Sequence, residues 1–227
     1  YVNLYAANTS TIHVGGKEVV LEESTQYPWD GDIQIRVAKS SAKNANLLVR
    51  IPGWVQNQVL PSDLYKYSDN ERPTYTVTVN GKKVEADLAA NNGYVPVKNI
   101  KKGDVVRIHF DMPVRTVVAN QKVNADEGRV AVERGPIVYC AEAADNQGEP
   151  VLLAIMGKKP VFSIVDDYKI ENTETKGAAP FAVKAITTQA QILNDSDNGV
   201  SLKNQKLTLI PYYAWNHRGA GEMNVWF

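Results

Sequence analysis

The sequence predicts an all-β protein built as two tandem antiparallel β-sandwiches of jelly-roll-like type, and three observations predict it. Apolar residues recur with period two along many short segments, the spacing that sends alternate side chains to a core face and to solvent. Gly, Pro and Asn punctuate those segments at intervals of roughly 8–12 residues, the rhythm of sandwich folds. No long segment shows the 3.6-residue stripe of an amphipathic helix; the best helical candidates, around Asn44–Asn46 and Gln189–Asn194, are short.

The elements follow in order. Tyr1-Val2-Asn3-Leu4-Tyr5 alternates from the first residue and lacks an initiator Met, so a mature product or an excised piece is expected. Val14-Gly15-Gly16-Lys17 reads as a hairpin turn between strands at Ser10–Val14 and Glu18–Glu22. Ile33, Ile35 and Val37 alternate with Gln34 and Arg36. Tyr75, Val77 and Val79 alternate with threonines and run into Asn80-Gly81, the dipeptide suited to a tight type I′ turn because both positions need positive φ. Lys102-Gly103-Asp104 is a turn leading into a strand in which Val106, Ile108 and Phe110 alternate with Arg107, His109 and Asp111. The polar stretch Asn120–Gly128 is the best boundary, placing the first sandwich at residues 1–124 and the second at 125–227. A polar loop near Asp166–Pro180 interrupts the second unit, and no fixed-period repeat suggests a propeller or solenoid.

Composition excludes several functions. The 227 residues carry 25 Lys+Arg against 25 Asp+Glu, and a balanced charge without basic runs argues against a nucleic-acid partner, whose binding draws on unopposed cations. No stretch reaches the roughly 18 apolar residues of a membrane-spanning helix. One cysteine, Cys140, permits neither an internal disulfide nor a cysteine-rich zinc site.

Candidate chemistry is sparse. His13, His109 and His217 stand apart from one another and from Cys140, so no metal site is expected. Cys140 lies in the apolar run Pro136-Ile137-Val138-Tyr139-Cys140, where a thiol behaves as a small hydrophobe. Asp195-Ser196-Asp197-Asn198-Gly199 opens like a calcium loop but brings Gly one position early and Lys206 where the last carboxylate belongs, so it reads as a turn. Glycoside hydrolysis needs two carboxyl groups held together. Glu22-Glu23 and Asp166-Asp167 are adjacent and would point to opposite strand faces, whereas Asp30 and Asp32 could share one. The aromatic clusters Tyr27-Pro28-Trp29, Pro52-Gly53-Trp54 and Tyr212-Tyr213-Ala214-Trp215 pack a core in most sandwiches, yet exposed rings can stack on sugars. Trp29, Trp54, Tyr213 and Trp215 are therefore the candidate carbohydrate-binding residues, and no catalytic residue is assigned.

Several segments, in this order, resemble the C-terminal region of glycoside hydrolase family 127, the β-L-arabinofuranosidase-like glycosidases with Bacteroides-type members. They include Glu23-Ser24-Thr25-Gln26-Tyr27-Pro28-Trp29-Asp30-Gly31, Arg50-Ile51-Pro52-Gly53-Trp54 and Met112-Pro113-Val114-Arg115. Gly128 to Tyr139 and Pro211-Tyr212-Tyr213-Ala214-Trp215-Asn216-His217-Arg218-Gly219 follow, before Met223-Asn224-Val225-Trp226. The resemblance implies two β-sandwiches that follow an (α/α)₆ barrel, and that the barrel carries the acid/base glutamate and a zinc-held cysteine nucleophile. None of those residues transfers, since the family's Cys-Cys pair has no counterpart here. The resemblance thus implies a non-catalytic portion of a glycosidase of plant-type, arabinofuranose-containing glycans, inactive alone, with no cofactor of its own and the absent barrel as its partner. The alternative is a carbohydrate-binding module with a plant-wall oligosaccharide as partner. Periplasmic or extracellular placement is the accompanying expectation.

Overall fold

The computed structural model describes residues 1–171, 179–196 and 199–227, with the side chains of 194–196 and 200 left aside. Its strands in chain order are β1 (Asn8–Val14), β2 (Lys17–Thr25), β3 (Asp32–Ser40), β4 (Leu47–Arg50), β5 (Tyr65–Tyr67) and β6 (Tyr75–Val79). There follow β7 (Lys82–Lys83), β8 (Tyr94–Val97), β9 (Val105–Phe110), β10 (Val114–Ala119), β11 (Val130–Arg134) and β12 (Ile137–Glu142). The last are β13 (Ala154–Met156), β14 (Ser163–Ile170), β15 (Phe181–Ser196), β16 (Gly199–Pro211) and β17 (Met223–Asn224). Short 3₁₀ turns connect some of them, so the protein is all-β, organised as tandem antiparallel sandwiches.

The chain forms two compact units: Tyr1–Pro61 with Asn70–Pro113, and Ser62–Asp69 with Val114–Phe227. The expected boundary after residue 124 therefore gives way to one between Pro113 and Val114. The reason is β10, which pairs along its length with β11 and so belongs with the second unit. The boundary carries no polar signal because Met112 and Val117 on either side are both buried core residues.

In the first unit six strands lie in the order β1-β2-β3-β9-β6-β7, and β4 pairs separately with β8. Turn chemistry sets this register. Asn80 and Gly81 both adopt positive φ, 50° and 80°, and bring Val79 opposite Lys82. The alternation read from sequence is the burial pattern: Ile33, Ile35, Val37, Val77, Val106, Ile108 and Phe110 are buried with Leu47, Val49, Val95 and Val97 from the smaller sheet. Each such side chain contributes about 1.5–3 kcal/mol on leaving water. Gly31 fixes the entry to β3. A Cβ there would lie 2.0 Å from the Phe110 carbonyl oxygen, so only glycine lets its own carbonyl accept the Phe110 N–H at 3.0 Å.

In the second unit the strand path is β13-β15-β16-β12-β11-β10-β5, with β14 beside β15 and β17 beside β12. Consecutive residues feed two different cores. Tyr139, Ile186 and Leu209 join one cluster, and their neighbours Cys140, Ala185 and Ile210 join the other. This sheet is accordingly covered on both faces. The polar loop expected near Asp166–Pro180 is in part strand: Ser163–Ile170 pairs with β15 as β14, its alternation broken by a bulge between Val165 and Tyr168. Gln189–Asn194 is likewise strand, inside β15, because its pairing with β16 outweighs local helix preference.

Segment Ser62–Asp69 supplies β5, which lies beside β10 with Tyr67 opposite Val117. Arg115, almost fully buried, holds it there. The guanidinium lies 3.5 Å over the Tyr67 ring and its Nη2 donates to Asp69 Oδ1 at 2.6 Å. The Tyr67 hydroxyl in turn donates to Glu133 Oε2 at 3.0 Å. Desolvation holds Glu133 above the usual carboxylate range.

Candidate functional site

The chain leaves β16 through a 3₁₀ turn at Tyr212–Ala214 and displays aromatic rings as it goes. Tyr212 and Tyr213 are 44% and 51% exposed. Tyr212 stacks on Trp215, centroids 6.1 Å apart and planes 27° from parallel. Asn216 takes positive φ, 65°, two residues before Arg218, which reaches back to residues of the β12 end and the turn after it. Arg218 Nη1 and Nη2 donate to the two carboxylate oxygens of Asp145, each at 2.5 Å, and Nη2 also reaches Glu142 Oε2. Glu142 Oε1 accepts the Asn216 backbone N–H at 3.0 Å, and the Tyr168 hydroxyl donates to Asp145 Oδ1 at 2.8 Å.

This network is deeply buried. The side chains of Arg218, Glu142 and Asp145 are 11%, 9% and 1% exposed. Burying an ion pair costs several kcal/mol per ion before the Coulomb gain, so such a network adds little net stability. What it supplies is geometry: it fixes the loop that carries the rings. His217, between them, meets the Phe181 ring edge-on at 5.4 Å.

The first unit concentrates its aromatic residues around the Glu23-to-Gly31 segment. Tyr5, Tyr27 and Trp54 all approach the Phe110 ring, at 5.8, 6.2 and 5.8 Å, and Trp54 Nε1 donates to the Tyr27 hydroxyl at 3.2 Å. Trp54 is only 7% exposed. The sequence expectation that it offers a sugar-stacking face is therefore corrected, because its ring is spent on the core. Trp29 does reach the surface, 42% exposed, in the turn where its N–H donates to the Gln26 carbonyl at 2.9 Å. Trp29 and the pair Tyr213 and Trp215 belong to different units.

Glu23 is the perturbed acid of this unit. Strand β2 alternates inward at Val19 and Leu21, and Glu23 continues that phase into a half-buried position. Its Oε1 accepts the Ala6 N–H at 3.0 Å. Desolvation prevails over that hydrogen bond and raises the carboxyl to about 7. Nothing in composition signals this, although the period-two phase from Val19 does.

The remaining candidates disperse. Glu22 meets Arg36, whose Nε donates at 2.9 Å, on the face opposite Glu23. Asp30 Oδ1 accepts the Asp32 N–H at 3.1 Å, closing a turn, whereas Asp32 Oδ1 lies 2.7 Å from His109 Nδ1. The two carboxylates therefore do not converge on a common space. Asp166 pairs with Lys184, and Asp167 takes positive φ, 54°, at the bulge. Cys140 is fully buried, and desolvation pushes its thiol up to about 12, far from a thiolate at neutral pH. Among the described residues no group of three or more His, Cys, Asp and Glu is placed to hold a metal ion. Of the Asp195–Gly199 segment, Asp197 and Asn198 lie outside the described residues, while β15 and β16 pair as far as Ser196 and Gly199. A shallow recess of about 520 Å³ in the second unit is lined by Leu152, Leu153, Ile155, Met156, Trp226 and Phe227 among others.

Comparison with known proteins matches the chain along its whole length. Residues 1–112 match the "Beta-L-arabinofuranosidase, GH127 middle domain", and residues 114–227 match the "Glycoside hydrolase family 127 C-terminal domain". The junction coincides with the structural boundary at Pro113. A "Non-reducing end beta-L-arabinofuranosidase" of Bifidobacterium longum subsp. longum is 31% identical over 97% of this chain and 32% of its own length. The solved structure of "The GH127, Beta-arabinofuranosidase, BT3674" superposes with a TM-score of 0.89 at 47% identity, over 100% of this chain and 34% of that one. Ara127N-Se, a GH127 beta-L-arabinofuranosidase from Geobacillus stearothermophilus T6, gives 0.76 at 28% identity, over 98% of this chain and 32% of that one. The chain thus spans about a third of the length of these relatives.

Proposed function

Because the chain belongs to glycoside hydrolase family 127, as that family's middle and C-terminal domains, we propose that it is the non-catalytic β-sandwich portion of an enzyme acting on arabinofuranose-containing, plant-type glycans. In this reading it supports an (α/α)₆ catalytic barrel contributed by the rest of a longer polypeptide. The observation that carries it is coverage: nearly the whole chain matches, yet only about a third of each relative does. The separation of the carboxylates that the sequence pairs, Glu22 from Glu23, Asp30 from Asp32 and Asp166 from Asp167, into different hydrogen bonds, turns and ion pairs supports the non-catalytic role. So does the poor fit of a zinc-held cysteine, because Cys140 is sealed in a core with a protonated thiol. Leu152, Leu153 and Ile155, each about half exposed, are the kind of aliphatic surface that a neighbouring domain covers. On this reading the enzyme works in the periplasm or outside the cell.

Hydrolysis of a chromogenic β-L-arabinofuranoside tests the reading. The chain alone releases no arabinose, and the full-length enzyme does; turnover by the chain alone would overturn it. The supporting role fails if the separately produced barrel melts and turns over as it does in the whole enzyme.

A further inference from the structure

We propose that one end of the first unit is a docking surface for a polyanionic glycan, a polysaccharide whose sugars carry carboxylates, held by the lysines that the strand ends gather there. That the polyanion is a glycan rests on the glycosidase reading above; the surface itself rests on topology and charge.

The net charge of zero hides a segregation. The first unit holds eight lysines, all exposed, and its topology brings them to one end. Strand β2 opens on Lys17, and its Val19 pairs with Ser40, next to Lys39 at the close of β3. Lys43 follows in the loop to Ala45, whose carbonyl accepts the Ile100 N–H at 2.8 Å. Lys98, Lys101 and Lys102 flank Ile100, and the Gly103 N–H then donates to the Val37 carbonyl at 2.9 Å. Asn80, in the turn that leads to Lys82 and Lys83, donates through Nδ2 to Asp104 at 2.9 Å. The strand ends involved belong to β2, β3, β9, β6 and β7, which are consecutive in the sheet, so the cations span roughly 20 Å at the usual strand spacing.

Little at this end cancels them. Lys39 pairs with Glu18 and Lys83 with Glu85, each at 2.7 Å, and Asp104 accepts the Lys101 backbone N–H at 2.9 Å. The other six lysines make no ion pair among the described residues. Asp30, Asp32 and Asp111 lie at the opposite end, where the Gly31 carbonyl accepts the Phe110 N–H. The unit's tryptophans, Trp29 and Trp54, are there as well.

Lysine ammonium groups are hydrated point charges on flexible stems. They suit a repeating charge met without fixed register rather than a shaped pocket, and a uronic-acid polymer offers one carboxylate on every sugar. With Trp29, Trp54 and Phe110 at the far end, the lysine end lacks the rings on which nucleic-acid bases stack and the tryptophans that anchor a protein at a bilayer interface. The chemistry therefore favours the glycan over both.

The test is calorimetric titration of the chain with polygalacturonate oligomers at about 20 mM and about 150 mM sodium chloride. Saturable binding is expected at the lower salt, weakening roughly tenfold at the higher as screening shortens the reach of each charge. Lys98→Gln, Lys101→Gln and Lys102→Gln together should weaken it roughly tenfold, whereas Lys98→Arg, Lys101→Arg and Lys102→Arg should keep it. Lys158→Gln with Lys159→Gln, at exposed lysines of the second unit, should leave it unchanged. Lys43→Gln with Lys82→Gln, on separate loops, repeats the comparison if the triple glutamine variant fails to fold. Absence of saturation at the lower salt overturns the proposal, as does binding that these first-unit substitutions spare or that a neutral arabinan matches. Equal or tighter binding of single-stranded DNA, or of phosphatidylglycerol vesicles, overturns the assignment to a glycan. Arabinose release by the full-length enzyme is measured separately, so failure of the glycosidase reading is distinguished from failure of binding.

Discussion

Replacing Glu23 by Gln should stabilise the protein at pH 8 and leave it unchanged at acid pH. Glutamine keeps an oxygen to accept the Ala6 N–H and removes only the ionisation. Desolvation raises the Glu23 carboxyl from 4.5 to about 7 in the folded state, so folding favours the protonated form. Stability from that form is fully present below the unfolded value near 4.5 and is lost as pH rises through 7. The shift is worth about 3 kcal/mol at its ceiling. Because Glu23 is only half-buried, solvent screening reduces this to about 1 kcal/mol, which corresponds to roughly 2–4 °C in melting temperature for a chain of this size. Thermal melts of both proteins at pH 4.5, 6 and 8 read the difference directly, since all other titrations cancel. Equal melting temperatures at pH 8, or a gap that stays constant across the series, would mean that Glu23 is ionised throughout and that its setting is wetter than described.

Arg218→Ala strands the buried carboxylates of Glu142 and Asp145 and should cost about 3–5 kcal/mol, measured by urea unfolding, whereas a loss under about 1 kcal/mol would show that water replaces the guanidinium. Gly31→Ala forces a methyl group against the Phe110 carbonyl and should cost about 2–4 kcal/mol; a neutral substitution would mean that the β3–β9 approach is looser than 2.0 Å implies. Residues 114–227 expressed alone lack β5 and leave Arg115 without Asp69 and Tyr67. That fragment should aggregate or melt well below the intact chain, and a peptide of residues 62–69 supplied in excess should raise its melting temperature.

What was legible in the sequence was local. Asn80-Gly81 and Gly15-Gly16 fixed their hairpins because turn chemistry depends on two adjacent residues, and the period-two runs then set which face each strand buries. Features that depend on distant partners were not legible. Strand β5 is three residues long and meets β10 across some fifty positions. Strand β14 hid behind Asp166-Asp167, whose polar pair marks a bulge rather than a loop. Trp54 read like a surface aromatic because its burial is supplied by Tyr27 and Phe110, far along the chain. The Arg218 network joins residues 73 and 76 positions apart; its one local trace is a charged residue closing an otherwise aromatic run.

Strand β5 bears on how such proteins can be reassembled over evolutionary time. A single recombination at Pro113 exchanges residues 114–227, the stretch that matches the C-terminal domain, yet the incoming piece would have to accept a strand encoded upstream by the recipient. Shuffling at that junction therefore succeeds only between genes whose residues 62–69 and 115–117 are already compatible. An exchanged C-terminal piece is therefore expected to fold fully only when the octapeptide of residues 62–69 matches it.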